Sequence, residues 1–226
     1  MSGSSGPASA DAFVEQFNQL GGDPPMRDIF ALAKRFVAMP VSEVEALLEQ
    51  QAHALRVGAV SIMDWQARSR RTSPTVRAAL FELYVRRHDR IDNWDLVDRA
   101  APSVVGGHLI DKPRDPLYAM ARSASQWPRR TSIVATYHFI RHGEVDDTFA
   151  IAEILAHDTA DLVQKAVGGW VREAGNRAPE QLLAFLDTYA ATMPRTALRY
   201  AIERLPQQQR HHYLSRRAAI GNKTTN

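Results

Sequence analysis

Three stretches decide how this chain folds: RRTSIVATYHFI at 129–140, QKAVGGWVREAG at 164–175 and RTALRYAIERL at 195–205. Each sets a basic or amide residue ahead of a run of small and apolar side chains. Their starts at Arg130, Lys165 and Arg195 lie 35 and 30 residues apart. That pitch suits helical pairs stacked on one another, each burying a face against the next. A helical bundle with similar helix lengths would give the same spacing.

Working outward, helical periodicity runs almost from end to end, and no alternating strand pattern stands out. Ser42 followed by Glu45 reads as a capping box opening VSEVEALLEQQAHALR, with Val41, Val44, Leu47, Leu48 and Leu55 on its apolar face. Gly58 then marks a break before a second helix through Ile62, Met63 and Trp65. Ser73-Pro74 is an N-cap with proline at the first helical position, and Asp115-Pro116 repeats that chemistry. Further helices read from about Trp127 to Arg141, Asp147 to Ala156, Asp161 to Ala174, Glu180 to Tyr189, Pro194 to Leu205 and Gln207 to Arg217. Short connections make neighbours antiparallel. The expected fold is all-α, a superhelical stack of antiparallel helical pairs (HEAT-like repeats, an ARM/HEAT solenoid). One such domain is expected over 9–217, between flexible tails at 1–8 and 218–226.

Composition removes whole classes of function. The 226 residues include no cysteine, which excludes disulfides, thiolate metal sites, cysteine nucleophiles and iron–sulfur clusters. No apolar run reaches the ~20 residues of a membrane span, and MSGSSG lacks a signal-peptide pattern, so a cytoplasmic protein is expected. The net charge of +3 is unevenly spread: residues 1–60 carry −3, residues 61–142 carry +6, and residues 143–226 balance. Of the 28 cations, 24 are arginine. Arginine forks match phosphate oxygens, which hints at a polyanionic partner, although GC-rich codon usage raises arginine too.

Four features could carry chemistry. In DNWDLVD at 92–98, Asn93 is a good N-cap for a short helix opened by Trp94. Trp94 and Asp98 are four apart and share a side of it. An indole face beside a carboxylate stabilises positive charge. Asp95 points elsewhere, into the first turn. The plainer account puts Trp94 in the core and pairs Asp98 with an arginine. In Trp127-Pro128-Arg129-Arg130, two cations oppose the helix dipole, a cost that a phosphate or a buried carboxylate would offset. In KAVGGWVRE at 165–173, two adjacent glycines inside a helix cost about 1 kcal/mol each relative to alanine. Close approach of a neighbouring helix or of a nucleic-acid strand explains them equally. His138 and His142 have metal-helix spacing, but Phe139 stands where a zinc hydrolase carries glutamate and no third ligand is evident, so no metal is expected. Phosphate loops, nucleophile elbows and dinucleotide fingerprints are absent from the sequence.

Taken in order, NWDLVD, VVGGHLIDKPRD, WPRRTSIVATYHFIRHGEVDDT, KAVGGWVREAG and TMPRTALRYAIERL resemble the AlkD-like DNA alkylation repair family, from about Arg56 to Leu205. The resemblance implies a stack of HEAT-like repeats and a monofunctional DNA glycosylase. Such an enzyme releases cationic purines such as 3-methyladenine and 7-methylguanine from duplex DNA held in a basic concave groove. It implies the catalytic aspartate at Asp98, the first active-site tryptophan at Trp94 and the active-site arginine at Arg130, which would keep Asp98 ionised. It places a DNA-facing arginine at Arg172. The family pattern K-A-I-G-W meets Lys165-Ala166-Val167-Gly168-Gly169-Trp170 here, so Trp170 is displaced by one position, about 100° around a helix. Lys165, Trp127 and Trp170 join the expected DNA contacts. Arg68, Arg70, Arg71, Arg86, Arg87, Arg90 and Arg129 are expected on one DNA-facing surface. No cofactor is expected, and the partner is alkylated duplex DNA met by a monomer. Two other classes stay open: a non-catalytic DNA-binding helical-repeat protein, and a helical scaffold for another protein.

Overall fold

The structure, a computed structural model, describes residues 8–221, except the side chains of 217–221. All regular elements among the described residues are helices. Backbone contacts divide the chain into two compact units, Met1–Lys112 and Pro113–Asn226.

The first unit holds α1 (Ala10–Asn18), α2 (Met26–Arg35), α3 (Val41–Leu48), α4 (His53–Arg68), α5 (Pro74–Arg86), α6 (Trp94–Ala100) and α7 (Gly107–Leu109). A 3-10 turn at His88–Arg90 and a π-helical stretch at Ala101–Gly106 flank α6. Its central helix is α4, buried nearly all round, from Leu55 through Val60, Ile62 and Met63 to Gln66. It packs against α2, α3 and α6. Its neighbours cover it on most sides, and the polar Ser61, Asp64 and Gln66 are buried with the apolar residues.

Two local expectations are corrected here. The stretch VSEVEALLEQQAHALR is two helices, not one: α3 ends at Leu48 and α4 starts at His53. Ser42 does not cap it, because the helix begins after Pro40 with no side-chain cap. The break comes from Arg90, which donates to the carbonyls of Leu48 (3.4 Å), Glu49 (2.7 Å) and Gln50 (3.1 Å) and so closes the end of α3. Gly58 is no breaker; it sits inside α4. An added Cβ there would lie 2.5 Å from Cζ of the fully buried Phe13, so the glycine leaves room for that ring against α4.

The second unit holds α8 (Asp115–Ala121), α9 (Gln126–Ala135), α10 (Tyr137–Arg141), α11 (Asp146–Ile154), α12 (Asp161–Gly175), α13 (Pro179–Tyr189), α14 (Arg195–Ala201) and α15 (Gln207–Gly221). Here α12 is central, packed on α14, α9 and α13. The expected helix from Trp127 to Arg141 is interrupted at Thr136, whose Oγ1 donates to the Ile133 carbonyl at 2.7 Å and competes with the backbone ladder. Asp115 is not a cap: the helix is capped from Arg114 without a side-chain bond, and Asp115 lies in its first turn. The described backbone carries α15 to Gly221, beyond the boundary read at Arg217. The tails read at 1–8 and 218–226 otherwise fall largely outside the described residues.

The repeated basic residues have a structural job. Arg130 of α9 donates to the Leu162 carbonyl of α12, and Arg195 of α14 donates to the Leu214 carbonyl of α15 at 3.0 Å. Each ties its helix to a carbonyl of a helix that follows in the chain.

Candidate active site

Asn93 caps α6 as its sequence demands: it is extended, and its Oδ1 accepts from the Trp94 backbone N–H at 2.7 Å. Trp94 therefore opens the helix, and Asp98 follows one turn later on the same side. The indole is 50% exposed, unusual for tryptophan, while Asp98 is half-buried. An exposed ring face ahead of a partly desolvated carboxylate is an arrangement that meets a cation from solution.

The start of α6 is pinned on both sides of Trp94. Arg56 of α4 meets Asp92 at 2.6 Å and also donates to the Arg90 carbonyl at 3.1 Å. His53, at the first position of α4, meets Asp95 Oδ2 at 2.7 Å, while Asp95 Oδ1 accepts from the Leu96 N–H at 2.9 Å. Asp95 thus serves its own first turn and the α4–α6 contact. After Ala100 the ladder widens to π geometry through Gly106, with Gly107 N–H bonded to the Pro102 carbonyl. Pro102 has no N–H to give the carbonyl of Asp98, four residues earlier, so the α pattern cannot continue past Asp98. Such bulges gather at functional sites. Pro102 is the signal of this stretch in the sequence.

The second unit holds the other expected residues. Arg130 is buried, with 7% of its surface exposed. Burying a guanidinium is costly unless it is bonded, and neither Arg130 nor Asp98 lacks a partner. Trp127 is half-buried in the first turn of α9, where its N–H meets the Ser125 cap at 3.4 Å. Lys165 pairs with Asp161 one turn back at 2.7 Å, a contact that raises its ammonium pKa. Trp170 is half-buried and lies against Tyr137, with ring centroids 4.8 Å apart. Arg172 pairs with Glu203.

The two glycines of α12 separate cleanly. A Cβ on Gly168 would stand 2.3 Å from the Ala197 carbonyl oxygen and 2.6 Å from Tyr200 Cβ, so Gly168 is what lets α14 approach. Around Gly169 an added Cβ would meet nothing within 4 Å among the described residues.

The seven arginines expected on a DNA-facing surface divide. Arg86 meets Glu45 at 2.5 Å and holds that carboxyl below its usual pKa. Arg87 pairs with Glu49 and Asp89, and Arg90 closes α3. Arg129 grips the buried Asp158 through two bonds of 2.6 and 3.1 Å and also donates to the carbonyls of Ser123 and Ala124. The buried carboxylate of Asp158 offsets the unfavourable helix-start position of Arg129. Arg68, Arg70 and Arg71 are exposed, and among the described residues no carboxylate pairs with Arg70 or Arg71. The rings of His138 and His142 stack at 4.6 Å. Burial, then the neighbouring His142 and Arg141, push His138 down to about 4.

These features define a helical-repeat protein with an exposed tryptophan and a half-buried aspartate on one pinned helix. A model of the DNA alkylation repair enzyme family matches residues 7–205, and the chain belongs to that family. The fold is similar to a solved structure of a predicted DNA alkylation repair enzyme from Enterococcus faecalis, with a TM-score of 0.66 and 16% identity over 88% of this chain and 95% of that one. No curated protein matches significantly. No helix among the described residues is long and apolar enough to cross a membrane.

Proposed function

We propose that this protein is a monofunctional DNA glycosylase acting on cationic alkylpurines, such as 3-methyladenine and 7-methylguanine, in duplex DNA, as a cytoplasmic monomer. The observation that carries the reading is the Trp94–Asp98 pair: an indole half open to solvent, one turn ahead of a half-buried carboxylate, on a helix fixed by Arg56 and His53. An N3- or N7-alkylated purine already bears positive charge. Its C1′–N bond breaks with the electron pair passing to the base, which neutralises it without a strong general acid. Positive charge then develops on the sugar, and water adds at C1′ and gives up a proton. Asp98 stabilises that oxocarbenium-like sugar and orients the water, and the Trp94 face adds cation–π attraction. Arg130, Trp170 and Arg172 enter this reading through the resemblance.

Release of 7-methylguanine from methylated duplex DNA tests it. Asp98→Asn removes one preorganised charge and should lower the rate ~10²–10³-fold. Equal rates for the two proteins would remove Asp98 from the reaction. A second reading, duplex binding without base release, is favoured by Trp170, which spends its ring against Tyr137. Salt-sensitive binding with no release by the wild-type chain would select it.

A further inference from the structure

The reaction above makes no use of a cluster built around Trp65, on the last turn of α4. Three cationic groups stand over its half-buried indole: the guanidinium of Arg68 lies 5.2 Å from the ring centroid, that of Arg99 5.3 Å, and Lys34 Nζ 5.5 Å. Among the described residues a single carboxylate serves two of them. Asp64, almost wholly buried, is 3.3 Å from Arg68 Nη1 and 3.3 Å from Arg99 Nη2. No carboxylate among the described residues pairs with Lys34, and Arg70 and Arg71 follow directly in the chain.

The cluster is short of acceptors as well as of negative charge. Trp65 Nε1 is buried and has no hydrogen-bond partner among the described residues, and the buried Arg99 Nη2 has its ion pair with Asp64 but no hydrogen bond. Arg99 itself is held firmly: its Nε donates to Ser61 Oγ at 3.2 Å, and its guanidinium lies 4.7 Å from the centroid of Phe30. Burial lowers its pKa, Asp64 opposes that, and the like charge of Arg68 adds to the lowering. Beside the ring opens a cleft of about 410 Å³ lined by Lys34, Val37, Trp65, Arg68 and Ser69. Two exposed cations, a hydroxyl and a flat aromatic wall around an open space form a setting for an anion.

We propose that this cleft seats a phosphate group, supplied by a phosphodiester of the DNA strand. Lys34 and Arg68 bind its oxygens, with the Trp65 ring against both cations and Asp64 holding Arg68. Arg99 adjoins Asp98 on α6, about 100° around the helix. One short helix therefore carries the proposed reacting carboxylate on one side and a wall of the phosphate seat on another. The choice of DNA as the source rests on the glycosylase reading; the phosphate chemistry does not.

The test uses the full chain and the double variant Lys34→Gln/Arg68→Gln, whose two sites are exposed and tolerate the change. Duplex binding is measured from low to high salt, with Arg27→Gln/Arg210→Gln, at two exposed arginines elsewhere, as a control of equal charge change. Losing one phosphate contact should weaken binding about tenfold at low salt and flatten the salt slope by about 0.9, with the control unmoved. In parallel, inorganic phosphate is titrated against indole fluorescence, with Trp65→Phe as the blank. An unchanged slope together with no phosphate response overturns the seat. A phosphate response with an unchanged slope keeps the seat and overturns DNA as its source. If the wild-type chain binds no duplex, the glycosylase reading fails, and the phosphate titration alone decides the seat.

Discussion

The adjacent glycines of α12 allow a paired substitution whose two halves should differ in sign. Alanine at an interior helix position is favoured over glycine by about 1 kcal/mol. At Gly169 nothing opposes that gain, because the space around the added Cβ is empty. Gly169→Ala should therefore stabilise the protein by about 1 kcal/mol, seen as a rise of about 2–4 °C in Tm. At Gly168 the same gain meets the Ala197 carbonyl oxygen at 2.3 Å. That atom is backbone and cannot swing aside, so α14 must back away from α12. Overpacking of this kind costs roughly 1–3 kcal/mol or more, and Gly168→Ala should lower Tm. Circular-dichroism melts of both variants decide the matter. A destabilised Gly169→Ala, or a Gly168→Ala as stabilising as Gly169→Ala, would refute the packing argument. The pair also tells the two explanations of the glycines apart. If a DNA strand approaches α12, Gly169→Ala gains stability while losing duplex affinity; if helix packing is the only reason, affinity stays level.

Two further outcomes follow from the second unit. Asp158→Ala strands Arg129 in a half-buried site, and breaking a buried pair of this kind should cost about 3 kcal/mol in denaturant unfolding. Asp158→Asn, which keeps an acceptor, should cost less, and equal losses would mean that the charge is irrelevant. His138 titrates near 4 when folded and near 6.5 when unfolded, so the unfolded chain takes up its proton first. Its contribution is intact above about pH 6.5 and is lost as pH falls toward 4. His138→Gln should flatten that acid limb without abolishing it, because burial also depresses His88; an unchanged limb would show that His138 is not buried in solution.

What sequence reveals here tracks the range of the interactions concerned. The Asn93 cap, the Ser73-Pro74 start and the shared side of Trp94 and Asp98 depend on residues within four of each other, and each could be read directly. The end of α3 depends on Arg90, some forty residues on, and the glycine at 58 depends on Phe13, so both looked like something else. The π stretch after Asp98 was a local signal, carried by Pro102, that helical periodicity concealed. Periodicity marks which side of a helix is apolar; it does not mark where the ladder changes pitch.

Charge shows the same limit more sharply. Counted by segment, 61–142 holds an excess of +6 and 1–60 a deficit of −3, which suggests a basic surface over the middle of the chain. Folding cancels part of both at once. Arg86 and Arg87 of the basic segment meet Glu45 and Glu49 of the acidic one, while Arg114 meets Glu144 and Asp147, and Arg129 meets Asp158, all from the balanced last segment. Guanidiniums committed this way contribute little to the field that a polyanion senses. The surplus that survives is narrower than the count suggests: among the described residues Arg70, Arg71, Arg77, Arg122 and Arg141 of that segment pair with no carboxylate, and Arg70 and Arg71 lie just past the end of α4, near Lys34 from the segment that looked acidic. A polyanion approaching the first unit would be drawn to that end of α4. From there Arg99, 5.3 Å from the Trp65 ring centroid, leads along α6 to the neighbouring Asp98.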